Sequence, residues 1–156
     1  HFDVIYPAIK NNARFIGLVR DGRDVITSIL KKNSEADAIW AAKKWENSIK
    51  HIAQLEKQLD EEHFMLVKYE ELVENPAEIL NKILKFLDFE YEESMLVRGD
   101  YLRKLGRAGK SEAFQNVANP ISNTSVGRWK TNLKTEDLEL AMPYLKEGLE
   151  KYSYEL

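Results

Sequence analysis

Two short apolar runs along the chain predict β-strands. Residues 14–20 join Phe, Ile, Leu and Val with no alternating polar positions, which is typical of a strand buried on both faces in a parallel sheet. Residues 63–68 have a similar composition and predict a second strand.

Helical spacing of apolar residues dominates the stretch between the two runs. Asp21-Gly22 indicates a turn, after which a helix begins at Asp24 with an acid in its first turn. A longer helix is predicted over residues 38–59, with Trp40 and Trp45 both in the core. The apolar stripe of this helix comprises Trp45, Ile49, Ile52, Leu55 and Leu59.

Two further helices follow the second run. Asn75 is a helix cap, Pro76 fits the first helical position and Glu78 can bond back to the cap. Thr135 is predicted to cap the last helix, and Pro143 inside it should kink it or divide it in two.

Strand–helix–strand alternation predicts an α/β fold with a parallel sheet. Residues 88–134 have little periodicity and several Gly and Pro residues, so much of that stretch should be loop. Without repeats or linkers, residues 1–156 are interpreted as a single domain. Two strands are few for such a sheet and the chain does not begin with Met, so we expect it to be a fragment of a larger domain.

Composition excludes several classes of protein and site. With no cysteine among the 156 residues, disulfide scaffolds, thiol nucleophiles and iron–sulfur clusters are excluded. No apolar run reaches the roughly 20 residues of a membrane span, and no signal segment is recognisable. The net charge of -3 argues against a general nucleic-acid binder. We expect a cytoplasmic protein with no metal.

The charge is distributed unevenly. Eight basic and two acidic residues lie between Arg98 and Lys134, so this stretch carries +6 and the rest of the chain -9. The basic stretch indicates either a discrete anion site or a solvated loop without function.

The strand ends are where an open α/β sheet places its ligands. Arg20 ends the first strand, and Ser28 lies in an early turn of the next helix. A guanidinium fork and a hydroxyl near a helix start can converge on a phosphate. Arg20 can instead pair with Asp21 or Asp24, which would leave Ser28 without a role.

Tyr69 follows the second strand in the same way. Its ring can lie along a nucleotide, or it can be an amphipathic residue at the rim of the core. Trp129, in the basic stretch, can pack against a ligand or pin its own loop.

Three motifs together resemble sulfotransferases that use 3′-phosphoadenosine 5′-phosphosulfate (PAPS). The first runs from Phe15 to Ser28 and contains Arg20-Asp21-Gly22-Arg23-Asp24. The second is Tyr69-Glu70-Glu71-Leu72 before Asn75-Pro76, and the third is Ser125-Val126-Gly127-Arg128-Trp129-Lys130. In this family the third motif is a loop that closes over the cofactor. The resemblance spans residues 13–152.

The resemblance implies a role for each matching residue. Arg20 and Ser28 would hold the 3′-phosphate of PAPS, and Tyr69 would contact the adenosine. The closing loop would contribute three further contacts, from Gly127, Arg128 and Lys130. The implied fold is a three-layer, P-loop-NTPase-like parallel sheet flanked by helices, here a partial sheet with many helices. Gly22 stands where many members carry Pro and should loosen the turn.

The family's loop for the 5′-phosphosulfate has no counterpart in this sequence. Residues 106–111 contain Gly-Lys-Ser, but Lys104 stands where a Walker A loop needs Gly, so we interpret them as a chance similarity. The family's acceptor-activating base also lies upstream, and His51 and His63 are interpreted as surface or structural residues. No catalytic residue is therefore assigned, and the chain alone is expected to be inactive.

The function implied is transfer of a sulfuryl group from PAPS to a hydroxyl or amine of an unidentified acceptor. Two alternatives stay open. One is a nucleotide-kinase-like P-loop transferase that prefers ATP. The other is a non-catalytic nucleotide-binding or interaction module on the same scaffold.

Overall fold

The computed structural model describes residues 13–96 and 121–156. These residues divide into two compact units, one formed by residues 13–69 and 124–156 and the other by residues 70–96 and 121–123. The candidate site lies wholly in the first unit.

The first unit contains a parallel pair of strands, β1 (Phe15–Val19) and β2 (Phe64–Lys68). Phe15 lies opposite Phe64, and Val19 lies opposite Lys68. The predicted strands and their parallel pairing are confirmed. Because the last residues of the two strands, Val19 and Lys68, pair with each other, the residues that follow them lie at the same edge of the sheet.

Burial of β1 on both faces was a wrong prediction. Val19 is buried, but Ile16 and Leu18 are 40% and 51% exposed. Alternate residues of a strand face opposite sides, and only one side of β1 is closely covered in the described chain. Leu18 instead borders an open groove of about 220 Å³ whose other walls include Ile29 and Ile52.

Helix α1 (Gly22–Lys32) begins two residues earlier than predicted, so Asp21-Gly22 is a helix start rather than a separate turn. Asp21 caps it by accepting a hydrogen bond from the Arg23 amide at 2.9 Å. A Cβ on Gly22 would lie 2.9 Å from side-chain atoms of both Trp45 and Leu145. Glycine here therefore permits close packing of Trp45 and Leu145 against the helix start.

Helices α2 (Ala38–Gln58) and α6 (Thr135–Lys151) form the core with α1 and β1. Trp45, on α2, is buried against α1 and α6, as predicted, whereas Trp40 is 47% exposed. Trp40 lies in the first turn of α2 and packs its ring near the exposed Lys44 ammonium. The prediction that Trp40 belongs to the core was therefore wrong.

Helix α6 runs without interruption through Pro143, so of the two predicted outcomes, a kink or a division into two helices, the division is wrong. Its buried residues anchor both halves to the rest of the core: Ala141, Leu145, Gly148 and Leu149. Packing of this face outweighs the missing amide of an exposed proline. Thr135 is the first helical residue, and Lys134 occupies the cap position.

The second unit contains most of α3 (Tyr69–Glu74), all of α4 (Pro76–Phe86) and a short 3₁₀ helix (Glu93–Leu96). Pro76 is the first residue of α4, as predicted. The Asn75 side chain makes no capping hydrogen bond, and Glu78 accepts one from Lys82 at 2.6 Å instead. The described residues at the start of α4 therefore do not form the reciprocal cap predicted from Asn75 and Glu78.

Residues 88–134 are loop-like where they are described, apart from the 3₁₀ helix and one short helix, α5 (Trp129–Asn132). The Gly-Lys-Ser sequence at 109–111 and most of the basic stretch lie outside the described residues. Among the helices that are described, none is long and apolar enough to cross a membrane.

Candidate functional site

Arg20 lies directly after β1, where the sequence places it, and three neighbours contact it. Its backbone carbonyl accepts a hydrogen bond from Trp45 Nε1 at 3.0 Å. Its Nη2 donates to the Ser125 carbonyl at 2.6 Å and lies 4.0 Å from Asp24 Oδ2. Arg20 Nε is buried and has no acceptor among the residues in ranges 13–96 and 121–156. The guanidinium thus keeps a donor that its own neighbours do not use.

Tyr69 packs against Arg20 at the same sheet edge. The Arg20 guanidinium carbon lies 4.3 Å from the centre of the Tyr69 ring, which is within cation–π range. The Tyr69 hydroxyl and Ser125 Oγ share a hydrogen bond at 2.7 Å. The parallel register explains this meeting, since Arg20 and Tyr69 each follow the last residue of a paired strand.

Residues 125–130, which we call the late loop, lie at the same edge of the sheet, although they are more than 50 residues from Tyr69 in the sequence. The Gly127 amide donates to Asp24 Oδ2 at 2.7 Å, and the Trp129 amide donates to Asp24 Oδ1 at 2.9 Å. Asp24 is only 2% exposed. Gly127 has φ +71°, in the left-handed region that favours glycine.

A stacked pair holds the other side of the late loop. Arg23 is buried and bonds through Nε and Nη2 to the Asp21 carboxylate, at 3.0 and 2.8 Å. Its guanidinium carbon lies 4.1 Å from the centre of the Trp129 ring. Trp129 therefore contacts a residue of the protein itself, which matches the interpretation that it pins the loop.

Ser28 lies one helical turn after Asp24, on the same face of α1. It is partly buried in α1, six residues after Gly22, which corresponds to about 9 Å along the helix axis. The helix dipole acts mainly within the first turn, and the Asp21 and Asp24 carboxylates already lie there. In the described part of the chain the Ser28 hydroxyl has no hydrogen-bond partner.

Arg128 and Lys130 are exposed cations of the late loop. Arg128 Nε donates to the Thr124 carbonyl at 2.7 Å, which fixes the base of its guanidinium. Lys130 Nζ lies 5.8 Å from the centre of the Trp129 ring. Arg20, Arg128 and Lys130 carry donors that suit phosphate oxygens, and the Asp24 carboxylate lies 4.0 Å from Arg20 Nη2.

The sequence assigns no ligand-binding role to two residues of this site. It indicates Asp24 only as a possible partner of Arg20, and Ser125 only as the first residue of the third motif. An acid in the first turn of α1 is explained by the helix dipole alone, so nothing local indicated contacts 103 and 105 residues away.

His51 and His63 lie elsewhere, as expected for surface or structural residues. His51 is exposed on α2. His63 Nδ1 lies 2.7 Å from Asp60 Oδ1, and this hydrogen bond is the largest factor that lowers the pKa of Asp60. In the described ranges, no three His, Asp or Glu side chains are grouped as metal ligands would be.

Comparison with known proteins identifies the family. Residues 3–93 match the model of the Sulfotransferase family. A protein-tyrosine sulfotransferase of Drosophila melanogaster is 27% identical over 127 residues, which are 76% of this chain and 26% of the relative. Protein-tyrosine sulfotransferase A of Caenorhabditis elegans is 22% identical, over 86% of this chain and 38% of the relative. The chain thus spans well under half the length of these two relatives.

Two solved structures share the fold. The sulfotransferase domain of the Synechococcus PCC 7002 olefin synthase aligns with a TM-score of 0.66 at 25% identity, over 92% of this chain and 50% of that domain. The sulfotransferase domain of the curacin biosynthetic pathway gives 0.68 at 25% identity, over 93% and 55%. These likenesses confirm the predicted P-loop-like α/β class, with a small parallel sheet and many helices. Because the family model matches more than half of its residues, the chain belongs to the sulfotransferase family.

Proposed function

We propose that this chain supplies the part of a PAPS-dependent sulfotransferase that binds the 3′-phosphate and the adenosine. One observation carries the proposal. Arg20, Tyr69 and the late loop meet at the carboxyl edge of the parallel strands, although they lie far apart in the sequence.

The donor set fits an anionic nucleotide. The Arg20 side chain is 22% exposed, and a guanidinium presents its donors in a planar fork that matches phosphate. Arg128 and Lys130 add exposed positive charge, and Gly127 shapes the loop that carries them. Ser28 and Tyr69 would complete the contacts to the 3′-phosphate and the adenosine.

The chemistry proposed for the whole enzyme is transfer of a sulfuryl group to an acceptor hydroxyl or amine. When bound, PAPS supplies that group. The part played by these residues is to position the nucleotide and to offset the charge of its phosphates. Two relatives are named protein-tyrosine sulfotransferases, which favours a hydroxyl acceptor over an amine.

Nucleotide selectivity tests the proposal. We expect the chain to bind 3′-phosphoadenosine 5′-phosphate, the product that PAPS leaves, more tightly than AMP or ATP in isothermal titration calorimetry. Arg20→Ala should weaken binding of the 3′-phosphorylated nucleotide by roughly 10–100-fold, as expected for hydrogen bonds between charged groups, and that of AMP much less. Lys31→Ala, an exposed cation at the end of α1, is the control and should change neither.

Other results would favour the alternatives. Equal losses for both nucleotides would contradict the role given to Arg20. A preference for ATP would favour a kinase-like transferase, and binding of none of the three nucleotides would favour an interaction module.

A further inference from the structure

The late loop has the backbone shape of an anion-binding nest. Gly127 is left-handed, with φ +71°, and Arg128 is right-handed, with φ -59° and ψ -27°. Residues that alternate in this way turn successive amides toward one point, where an anion can accept them. The amides of Gly127 and Trp129 converge here.

The anion in this nest is a side chain of the protein, the carboxylate of Asp24. Each of its oxygens accepts one amide, at 2.7 and 2.9 Å, and its side chain is 1% exposed. A buried carboxylate is costly unless hydrogen bonds satisfy it, and these two amides do so. Since Asp24 is in the first turn of α1, the bonds fasten the late loop to the helix that follows Arg20.

Fastening the loop also orders the rest of the candidate site. Ser125, just before the nest, contacts Arg20 through its carbonyl and Tyr69 through its hydroxyl. Arg128 lies between the two residues whose amides Asp24 holds. Displacement of the nest would therefore move contacts to Arg20 and Tyr69, as well as the loop's own cations.

We infer that Asp24 is a positioning residue that sets the late loop in its nucleotide-binding arrangement without touching the nucleotide. The inference rests on the proposed function as far as the nucleotide is concerned. The opposite arrangement is that the nest takes a phosphate and Asp24 competes with it. The two arrangements predict opposite changes in nucleotide affinity when Asp24 is replaced, because loss of a positioning residue weakens binding and loss of a competitor strengthens it.

Asp24→Asn is the direct test. An asparagine has only one acceptor oxygen for the two amides, so one hydrogen bond to a charged group is lost. We expect hydrogen–deuterium exchange at Gly127 and Trp129 to accelerate roughly ten-fold or more, with no nucleotide present. The affinity for 3′-phosphoadenosine 5′-phosphate should fall by about the same factor.

Asp37→Asn is the matched control. Asp37 also accepts a backbone amide, that of Trp40 at 2.7 Å, but it does so at the exposed start of α2. This variant should leave exchange at the late loop and the nucleotide affinity unchanged.

Gly127→Ala provides a second route if Asp24→Asn fails to fold. A Cβ on Gly127 would meet nothing within 4 Å, so the substitution acts through the left-handed backbone alone. It should produce the same faster exchange at Trp129 and the same weaker nucleotide binding, while exchange at the core residue Leu145 stays unchanged.

The two measurements separate the outcomes. Unchanged exchange at Gly127 and Trp129 in a folded Asp24→Asn protein would overturn the fastening. Faster exchange with unchanged affinity would overturn the positioning role, and tighter binding would show that the nest itself takes the phosphate. If the wild-type chain binds no 3′-phosphorylated nucleotide, the proposed function fails, while faster exchange in the variant still supports the fastening.

Discussion

At the scale of single residues, the molecule uses buried polar groups mainly to fix backbone. Asp21 and Asp24 each accept amides, and Arg23 is held between a carboxylate and an indole ring. Tyr152 also has a buried side-chain hydroxyl. Burial, and then the nearby Glu56 carboxylate, raise the pKa of Tyr152 to about 12.

This shift predicts a loss of stability at high pH. An unfolded tyrosine has a pKa near 10, so between about pH 10 and 12 the unfolded chain releases this proton before the folded one does. The free energy of unfolding should therefore be unaffected by Tyr152 below pH 10 and should fall as pH rises above it. Urea unfolding of the wild type and Tyr152→Phe at pH 9, 10 and 11 measures the effect as the difference between the two proteins. A difference that is constant over these pH values would contradict the assignment.

At the scale of elements, packing decides where helices continue. Helix α6 contains a proline at its ninth position and still runs for 17 residues, because Ala141 before the proline and Leu145 after it are both buried. Local rules predict a kink or a break there, since a proline removes one helical hydrogen bond and crowds the preceding turn. The tertiary contacts of one face outweigh that local cost.

Replacement of Pro143 should therefore stabilise the protein. Its side chain is exposed, so Pro143→Ala restores an amide donor and relieves the crowding without opening a cavity. We expect the free energy of unfolding to rise by about 1–3 kcal/mol, less than the full interior cost of proline because the unfolded chain also gains freedom. Lys146→Ala, on an exposed position of the same helix, is the control and should stay within about 0.5 kcal/mol of the wild type in thermal unfolding. A decrease in stability for Pro143→Ala would show that the proline shapes the packing of α6.

At the scale of the whole molecule, the sequence predicts whatever depends on periodicity and strand ends. The apolar runs predict β1, β2 and their parallel pairing, and pairing alone brings Arg20 and Tyr69 together. The sequence does not predict the hydrogen bonds of Asp24 to the amides of Gly127 and Trp129, because those contacts join a helix start to a loop without periodicity. The sequence also does not predict the exposure of Trp40. The apolar face of a helix can be read from the spacing of its residues, but how far a neighbouring element covers that face cannot.

The uneven charge of the chain leads to the last prediction, which concerns salt. A basic stretch of +6 lies in a chain of net charge -3, so the nucleotide is attracted locally and repelled by the remainder. Exposed charges are screened beyond about 10 Å at 0.1 M salt, whereas Arg20 is held close against Tyr69 and Ser125. Binding of 3′-phosphoadenosine 5′-phosphate should therefore weaken between 0.05 and 0.5 M salt, concentrations at which screening lengths are roughly 14 and 4 Å.

Single variants show how much of this salt dependence comes from the exposed cations and how much from the partly buried Arg20. Arg128→Ala and Lys130→Ala should each weaken binding by no more than about five-fold and should flatten the salt dependence, because exposed pairs contribute roughly 0.2–1 kcal/mol. Arg20→Ala should cause the larger loss at every salt concentration, since its guanidinium is partly buried and less screened. Titration calorimetry across the salt series measures both quantities. If Arg128→Ala costs as much affinity as Arg20→Ala at 0.5 M salt, then the late loop, and not the end of β1, is the main anchor of the nucleotide.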